Sequence, residues 1–171
     1  MAKKDLLVIE MNNKEDMECF NFREKLKIAQ KPYDYFKEIE NLNFDQLASS
    51  DRIFLQDFGI YNNELNDEEF MLRLRFPAGR ISNNSLLLIS NLAQKYNLQI
   101  ILTARAGIQL HGLDSNNILE VFNQINSQNI SSYQSFGDNI RNITSDIFDG
   151  IGVYNIIEVF PYIEQMQAYI L

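Results

Sequence analysis

Two guanidinium groups stand two residues apart in "FMLRLRFPAGR" (70–80). Alternate side chains of a β-strand point to opposite faces. Phe70, Leu72, Leu74 and Phe76 therefore form one apolar set, and Met71, Arg73 and Arg75 form the other. The stretch "LTARAGIQLHG" (102–112) repeats the pattern. Thr103 and Arg105 oppose Ile100 and Leu102, and Gln109 and His111 oppose Ile108 and Leu110. Arg80 and Arg141 complete a run of five arginines between residues 73 and 141, a span with a single lysine, Lys95. Arginine keeps its charge and presents a planar fork that matches carboxylates and phosphates. The chemistry such a face supports is the binding of an anion.

The elements that must position these residues follow from periodicity. A strand over 70–76 is stopped by "PAG". "NNSLLLISNLAQKYN" follows, with Ser82 as N-cap and with Leu86, Ile89, Ala93 and Tyr96, together with Leu88 and Leu92, at helical spacing. "QIILTAR" and "GIQLHG" read as two strands, "SNNILEVFNQINSQN" as a second helix carrying Ile118, Phe122 and Ile125, and "ISSYQSF" as a closing strand. The order β-α-β-β-α-β predicts an α+β fold of ferredoxin-like plan, an antiparallel sheet with both helices on one face. The other face is expected to stay open and to carry Arg73, Arg75, Thr103, Arg105, Gln109 and His111. Residues 1–66 read as a helical, irregular N-terminal segment of short helices and polar breaks, with "NNELNDEE" as a polar connection.

Bulk properties narrow the function. The chain has 171 residues, 46% of them hydrophobic, which suits one compact domain or a small domain with part of another. A formal charge of −8 argues against sequence-independent nucleic-acid binding. Cys19 is the only cysteine and His111 the only histidine, so the chain builds neither an internal disulfide nor a zinc or iron–sulfur site of its own. The N-terminus lacks a long apolar stretch, so neither a signal peptide nor a membrane span is read, and the expected location is the cytoplasm.

Three stretches in order, "FMLRLRFPAGR", "LTARAGIQLHG" and "GDNIRNIT" (137–144), resemble the siroheme-dependent nitrite and sulfite reductases, as does the lead-in "FGIYNNELNDEEFMLRLR". The resemblance implies a ferredoxin-like half-domain over 67–136, preceded by the helical segment 1–66 and followed by 137–171 as the truncated start of the siroheme and iron–sulfur domain. It implies an oxidoreductase whose full-length form reduces sulfite to sulfide or nitrite to ammonia by six electrons, while this piece alone is inactive. The implied cofactors are siroheme and a [4Fe-4S] cluster whose ligands lie outside this chain. The implied partners are sulfite or nitrite, the remainder of the reductase, and an electron donor such as ferredoxin or a flavoprotein. Carried over by position, Arg73 and Arg141 contact the substrate anion, and Arg75, Thr103, Arg105, Gln109, His111 and Asn142 contact the cofactor. Ala104 and Ala106 depart from the family pattern, which has polar residues there.

A second function class fits the same residues: a stand-alone, non-catalytic ferredoxin-like module that binds a small anionic metabolite or scaffolds a partner. An RNA-binding module of similar topology ranks last, because it needs aromatic residues on the open sheet face, and Phe70 and Phe76 fall on the helix side.

Overall fold

The computed structural model describes residue 52 and residues 55–63, 66–133 and 142–170. Most of the segment read as helical, 1–66, lies outside them, as does Arg141. Four antiparallel strands form one sheet: β1 (Ile60–Asn63), β2 (Asn66–Leu74), β3 (Gln99–Leu102) and β4 (Ile108–Leu113), in the order β1-β2-β4-β3. Among the described residues, the helices α1 (Asn83–Tyr96), α2 (Ile118–Ser127) and α3 (Phe160–Ile170) accompany it.

The expected parity of the first motif holds. Phe70, Leu72, Leu74 and Phe76 are buried in one core with Ile108, Leu110 and Leu113 of β4, Ile89, Leu92 and Ala93 of α1, and Ile118, Val121, Phe122 and Ile125 of α2. This is the α+β, ferredoxin-like arrangement, with both helices contributing to the core on one side of the sheet. Ser82 caps α1, its Oγ accepting from Ser85 N at 3.1 Å. The helix ends at Asn97 in a left-handed conformation (φ 55°), which asparagine tolerates better than most residues.

The structure departs from the sequence reading in four places. β2 begins at Asn66, and β1 pairs with it as a hairpin partner, so the presumed polar connection is mostly strand. The expected closing strand is represented, among the described residues, by a bridge between Arg75 and Ser131, with Arg75 N donating to Ser131 O at 2.8 Å. The rest of that stretch, 134–136, lies outside the described residues. Third, β3 does not bury Ile100 and Leu102, which are 40% and 76% exposed. It is an edge strand, and the apolar stripes of α1 and α2 close over β2 and β4 instead. Leu86 is likewise about half exposed, at 48%.

The β2–β4 pairing contains a bulge. Met71 pairs with His111 but Phe70 pairs with Leu113, leaving Gly112 unpaired at φ 85°. The extra residue resets the alternation, so Leu110 and Leu113 both point into the core although an odd number of steps separates them.

Candidate functional site

Register places the polar residues of the motifs in rows on the face opposite the core. Arg73, Gln109 and Ile101 lie side by side, and Met71, His111 and Gln99 form the next row. At the end of these strands a pocket of about 280 Å³ opens, lined by Arg73, Leu74, Arg75, Thr103, Ala104, Arg105, Gly107 and Asn142. It lies just below the size range typical of sites for drug-sized ligands. A small oxyanion or the carboxylate arm of a larger ligand fits it; a macrocycle does not.

Three guanidinium-bearing residues thus meet in a chain of net charge −8, and their placement differs. Arg73 is half-buried on the sheet. Arg75 shares its strand parity but is only 2% exposed, so the open face is not open at this point. Arg75 Nη1 reaches Tyr133 O at 3.4 Å, and burial pulls its pKa below the ordinary arginine value. Arginine titrates so high that the group stays a cation. Arg105 is exposed at the rim, and among the described residues no hydrogen bond or ion pair fixes its guanidinium.

The walls between these side chains are held by backbone chemistry. Thr103 closes the β3–β4 turn: its N donates to Gly107 O at 2.9 Å, and its Oγ1 accepts from Gly107 N at 3.0 Å. Its hydroxyl therefore shapes the turn as well as lining the pocket. A Cβ on Gly107 would meet Leu74 O at 3.0 Å, so the close approach of the turn to β2 needs glycine. Asn142 joins two loops, its Nδ2 donating to Phe76 O at 2.7 Å and to Arg105 O at 2.8 Å, while its Oδ1 is buried with no hydrogen-bond partner among the described residues. The next residue adds a backbone bond, Ala78 N to Ile143 O at 2.8 Å.

Gln109 and His111 stay outside the pocket lining. The Gln109 amide lies 3.0 Å from His111 Nε2 and contacts the Arg73 guanidinium, 3.0 Å from Nε. The structure therefore brings Arg73, Arg75, Thr103, Arg105 and Asn142 into one pocket, sets Gln109 and His111 in a row leading from it, and leaves Arg141 outside the described residues.

Arg80 has a different role from its neighbours. It pairs with Asp149 at 3.3 Å and Glu158 at 3.1 Å, and its guanidinium sits 4.1 Å from the Phe160 ring centroid. Asp149, whose side chain is 6% exposed, also accepts from Val159 N at 2.8 Å and Phe160 N at 3.0 Å, satisfying the free amides that start α3. Neither this remote cap nor the Asn142 clamp was identified from the sequence. Both join residues far apart in the chain, and an Asp or Asn in a polar loop carries no periodic signal. The segment between them and α3 exposes a run of large apolar side chains, including Ile151 (78%), Val153 (94%), Tyr154 (95%) and Ile156 (96%).

Among the described residues, no group of His, Cys, Asp and Glu is arranged to hold a metal ion, and no helix is long and apolar enough to cross a membrane.

Comparison with known proteins was made on this basis. A family model described as the nitrite/sulfite reductase ferredoxin-like half domain matches residues 63–128. The chain is 28% identical over 156 residues to a ferredoxin–nitrite reductase of Synechococcus elongatus, across 88% of this chain and 30% of that protein. It is 27% identical over 152 residues to the ferredoxin–nitrite reductase of Leptolyngbya laminosa, across 84% and 29%. It is 33% identical over 97 residues to the sulfite reductase [NADPH] hemoprotein beta-component of a Paenibacillus species, across 53% and 17%. The solved structure of the Mycobacterium tuberculosis NirA protein superposes with a TM-score of 0.74 at 21% identity, across 88% of this chain and 32% of that one, a likeness of fold. The chain spans about 30% of the length of the first of these curated relatives.

Proposed function

Residues 63–128 belong to the ferredoxin-like half-domain family of the nitrite and sulfite reductases, and from that premise we propose that this chain supplies the arginine-lined anion site of a siroheme-dependent reductase. The observation that carries the reading is the convergence of Arg73, Arg75 and Arg105 on one pocket of small-anion size in an acidic chain. Nitrite reduced to ammonia, with ferredoxin as donor, is the favoured reaction, since two of the relatives described above are named ferredoxin–nitrite reductases. Sulfite reduced to sulfide is the alternative, and a sulfite reductase component is also among them.

The residues fit the periphery of siroheme rather than its iron. The ring carries carboxylates, and arginine forks are their natural partners. When bound, siroheme with its linked [4Fe-4S] cluster supplies the metal and the electrons for the six-electron reduction. In this reading Arg73 holds the substrate oxyanion from the sheet, and Arg105 meets an anionic arm at the rim. Arg75, buried behind them, adds fixed positive field where little water screens it. Asn142 holds the loops at 76 and 105 at their working separation, and Thr103 keeps the intervening turn in shape. Arg141 retains the role of a second substrate-contacting cation. Gln109 and His111, given to the cofactor by resemblance, lie along the same face as Arg73. Domain organisation is proposed as the resemblance implies, 67–136 as the half-domain and 137–171 leading into the cofactor domain. The exposed apolar run from Ile147 to Tyr169 is the surface on which the remainder of the reductase packs.

The test is expression of the longest reading frame containing these codons in a siroheme-producing host. The cofactor spectrum and methyl-viologen-driven loss of nitrite or sulfite are expected, with Arg73→Gln lowering kcat/KM at least tenfold. A cofactor-loaded preparation that consumes neither anion refutes the reductase reading. The stand-alone anion-binding reading draws on the same three cations gathered at one pocket. It predicts that the 171-residue chain binds small anions equally well with and without siroheme.

A further inference from the structure

We propose that Gln109 is a positioning residue for Arg73, and that the Gln109 amide in turn fixes the tautomer of His111. The proposal rests on the anion site put forward above. Arg73 and Gln109 are direct cross-strand partners, and His111 is two residues further along β4 on the same face. The amide of Gln109 touches both neighbours, at 3.0 Å from Arg73 Nε and 3.0 Å from His111 Nε2, with a further contact to Arg73 Nη2.

The chemistry of the three groups permits one arrangement. A guanidinium only donates, and an amide has one accepting end and one donating end. The amide oxygen must face Arg73, because the opposite orientation sets donor against donor. The NH₂ then points at His111 Nε2, which must accept. The imidazole therefore carries its hydrogen on Nδ1. Each bond in the row fixes the next: the guanidinium selects the amide orientation, the amide NH₂ selects the ring tautomer, and the amide oxygen holds the Nε–Nη2 edge of Arg73. That anchor takes rotamer freedom from a long side chain beside an anion pocket, and freedom still to be lost on binding costs affinity. The resemblance assigns Gln109 to the cofactor; here its two hydrogen-bonding ends are both engaged by protein, so its action runs through Arg73.

The experiment uses the fact that His111 is the only histidine of the chain, so a long-range proton–nitrogen spectrum of the ¹⁵N-labelled protein contains one imidazole. At about pH 8, where histidine is ordinarily neutral, Nδ1 is expected to be protonated and Nε2 bare. Gln109→Glu keeps the acceptor for Arg73 but replaces the donor toward the ring with a second acceptor, so the hydrogen is expected to move to Nε2. Gln109→Leu removes both bonds. Sulfate binding followed at the Arg73 Nε–H signal is then expected to weaken about tenfold, as for loss of one charge-assisted bond. An Nε2–H ring in the parent chain, an unchanged tautomer in Gln109→Glu, or equal sulfate affinity in Gln109→Leu would overturn the proposal. If the parent chain shows no sulfate response at Arg73, the anion reading fails, and the tautomer pair still decides the positioning.

Discussion

Asp149 is the place where a single substitution is expected to free a whole helix. Asp149→Ala removes two hydrogen bonds from a nearly buried carboxylate to Val159 N and Phe160 N, at 2.8 and 3.0 Å, and the contact with Arg80 at 3.3 Å. Loss of a helix N-cap costs about 1 kcal/mol, and hydrogen bonds to a charged acceptor about 1.5–3 kcal/mol each. The Arg80 pair adds less than about 1 kcal/mol, because Arg80 is 40% exposed and water screens it. These contributions overlap, since the cap and the bonds are the same contacts, so about 3 kcal/mol is a fair total. α3 touches the rest of the described structure chiefly through Arg80, the turn at Pro77–Gly79 and its own Ile163, which is 3% exposed. The loss is therefore expected as local opening rather than global unfolding. Amide hydrogen exchange is the assay: protection across 163–169 should fall about a hundredfold, by the rule that 1.4 kcal/mol is a factor of ten, while β2 and β4 amides keep theirs. Arg80→Ala, which leaves the cap intact, should loosen α3 less than tenfold. Unchanged α3 protection in Asp149→Ala, or equal loosening by the two variants, refutes the view that the carboxylate holds the helix start.

Other outcomes follow from the same structure. Gly79→Ala places a Cβ 2.8 Å from that of Ala106 at a backbone φ of +71°, and should cost about 2 kcal/mol in urea denaturation; adding Ala106→Gly, which removes the opposing Cβ and suits the φ of 55° there, should recover part of it. Leu72→Ala, at a fully buried position facing Leu110, should lose about 2–5 kcal/mol by the same method. Asn142→Ala should cost about 1–3 kcal/mol and, by letting the loops at 76 and 105 part, weaken sulfate binding measured by calorimetry. Ile156→Lys, at a side chain 96% exposed, should leave the denaturation midpoint within about 0.5 kcal/mol while reducing self-association in sedimentation.

The sequence was most legible where burial is periodic. The alternation of Phe70 to Phe76 and the stripe Ile118–Phe122–Ile125 are the signature of one face kept dry, and the core is built on them. The opposite parity was readable on β2, where Arg73 and Arg75 reach one pocket, whereas Thr103 and Arg105 come to it from the turn that follows β3 at Leu102 and not from the strand expected over 99–105. The sequence did not reveal that Arg75 is buried, because parity gives a direction and not what covers it. The β1 strand escaped notice since "NNELNDEE" lacks the apolar alternation that marks a half-buried strand. The edge position of β3 was hidden for the opposite reason: "QIIL" is apolar enough for a central strand, yet it stands last in the order β1-β2-β4-β3 with all four residues exposed. Arg80 read only as one member of the arginine run until its partners, some seventy residues away in the chain, were in place.

The unpaired Gly112 sets a limit on the polar side of the sheet. Because Gly112 follows His111 unpaired and Leu113 then faces the core, the outward file of β4 ends at the imidazole, and the series Arg73, Gln109, His111 has the ring at its outer end. Deleting that glycine would restore simple alternation with Leu113 still turned inward opposite Phe70, and the residues beyond it would each move one place along the strand. The glycine therefore sets how far along the sheet the chain runs before it leaves for α2, and not which face Leu113 takes.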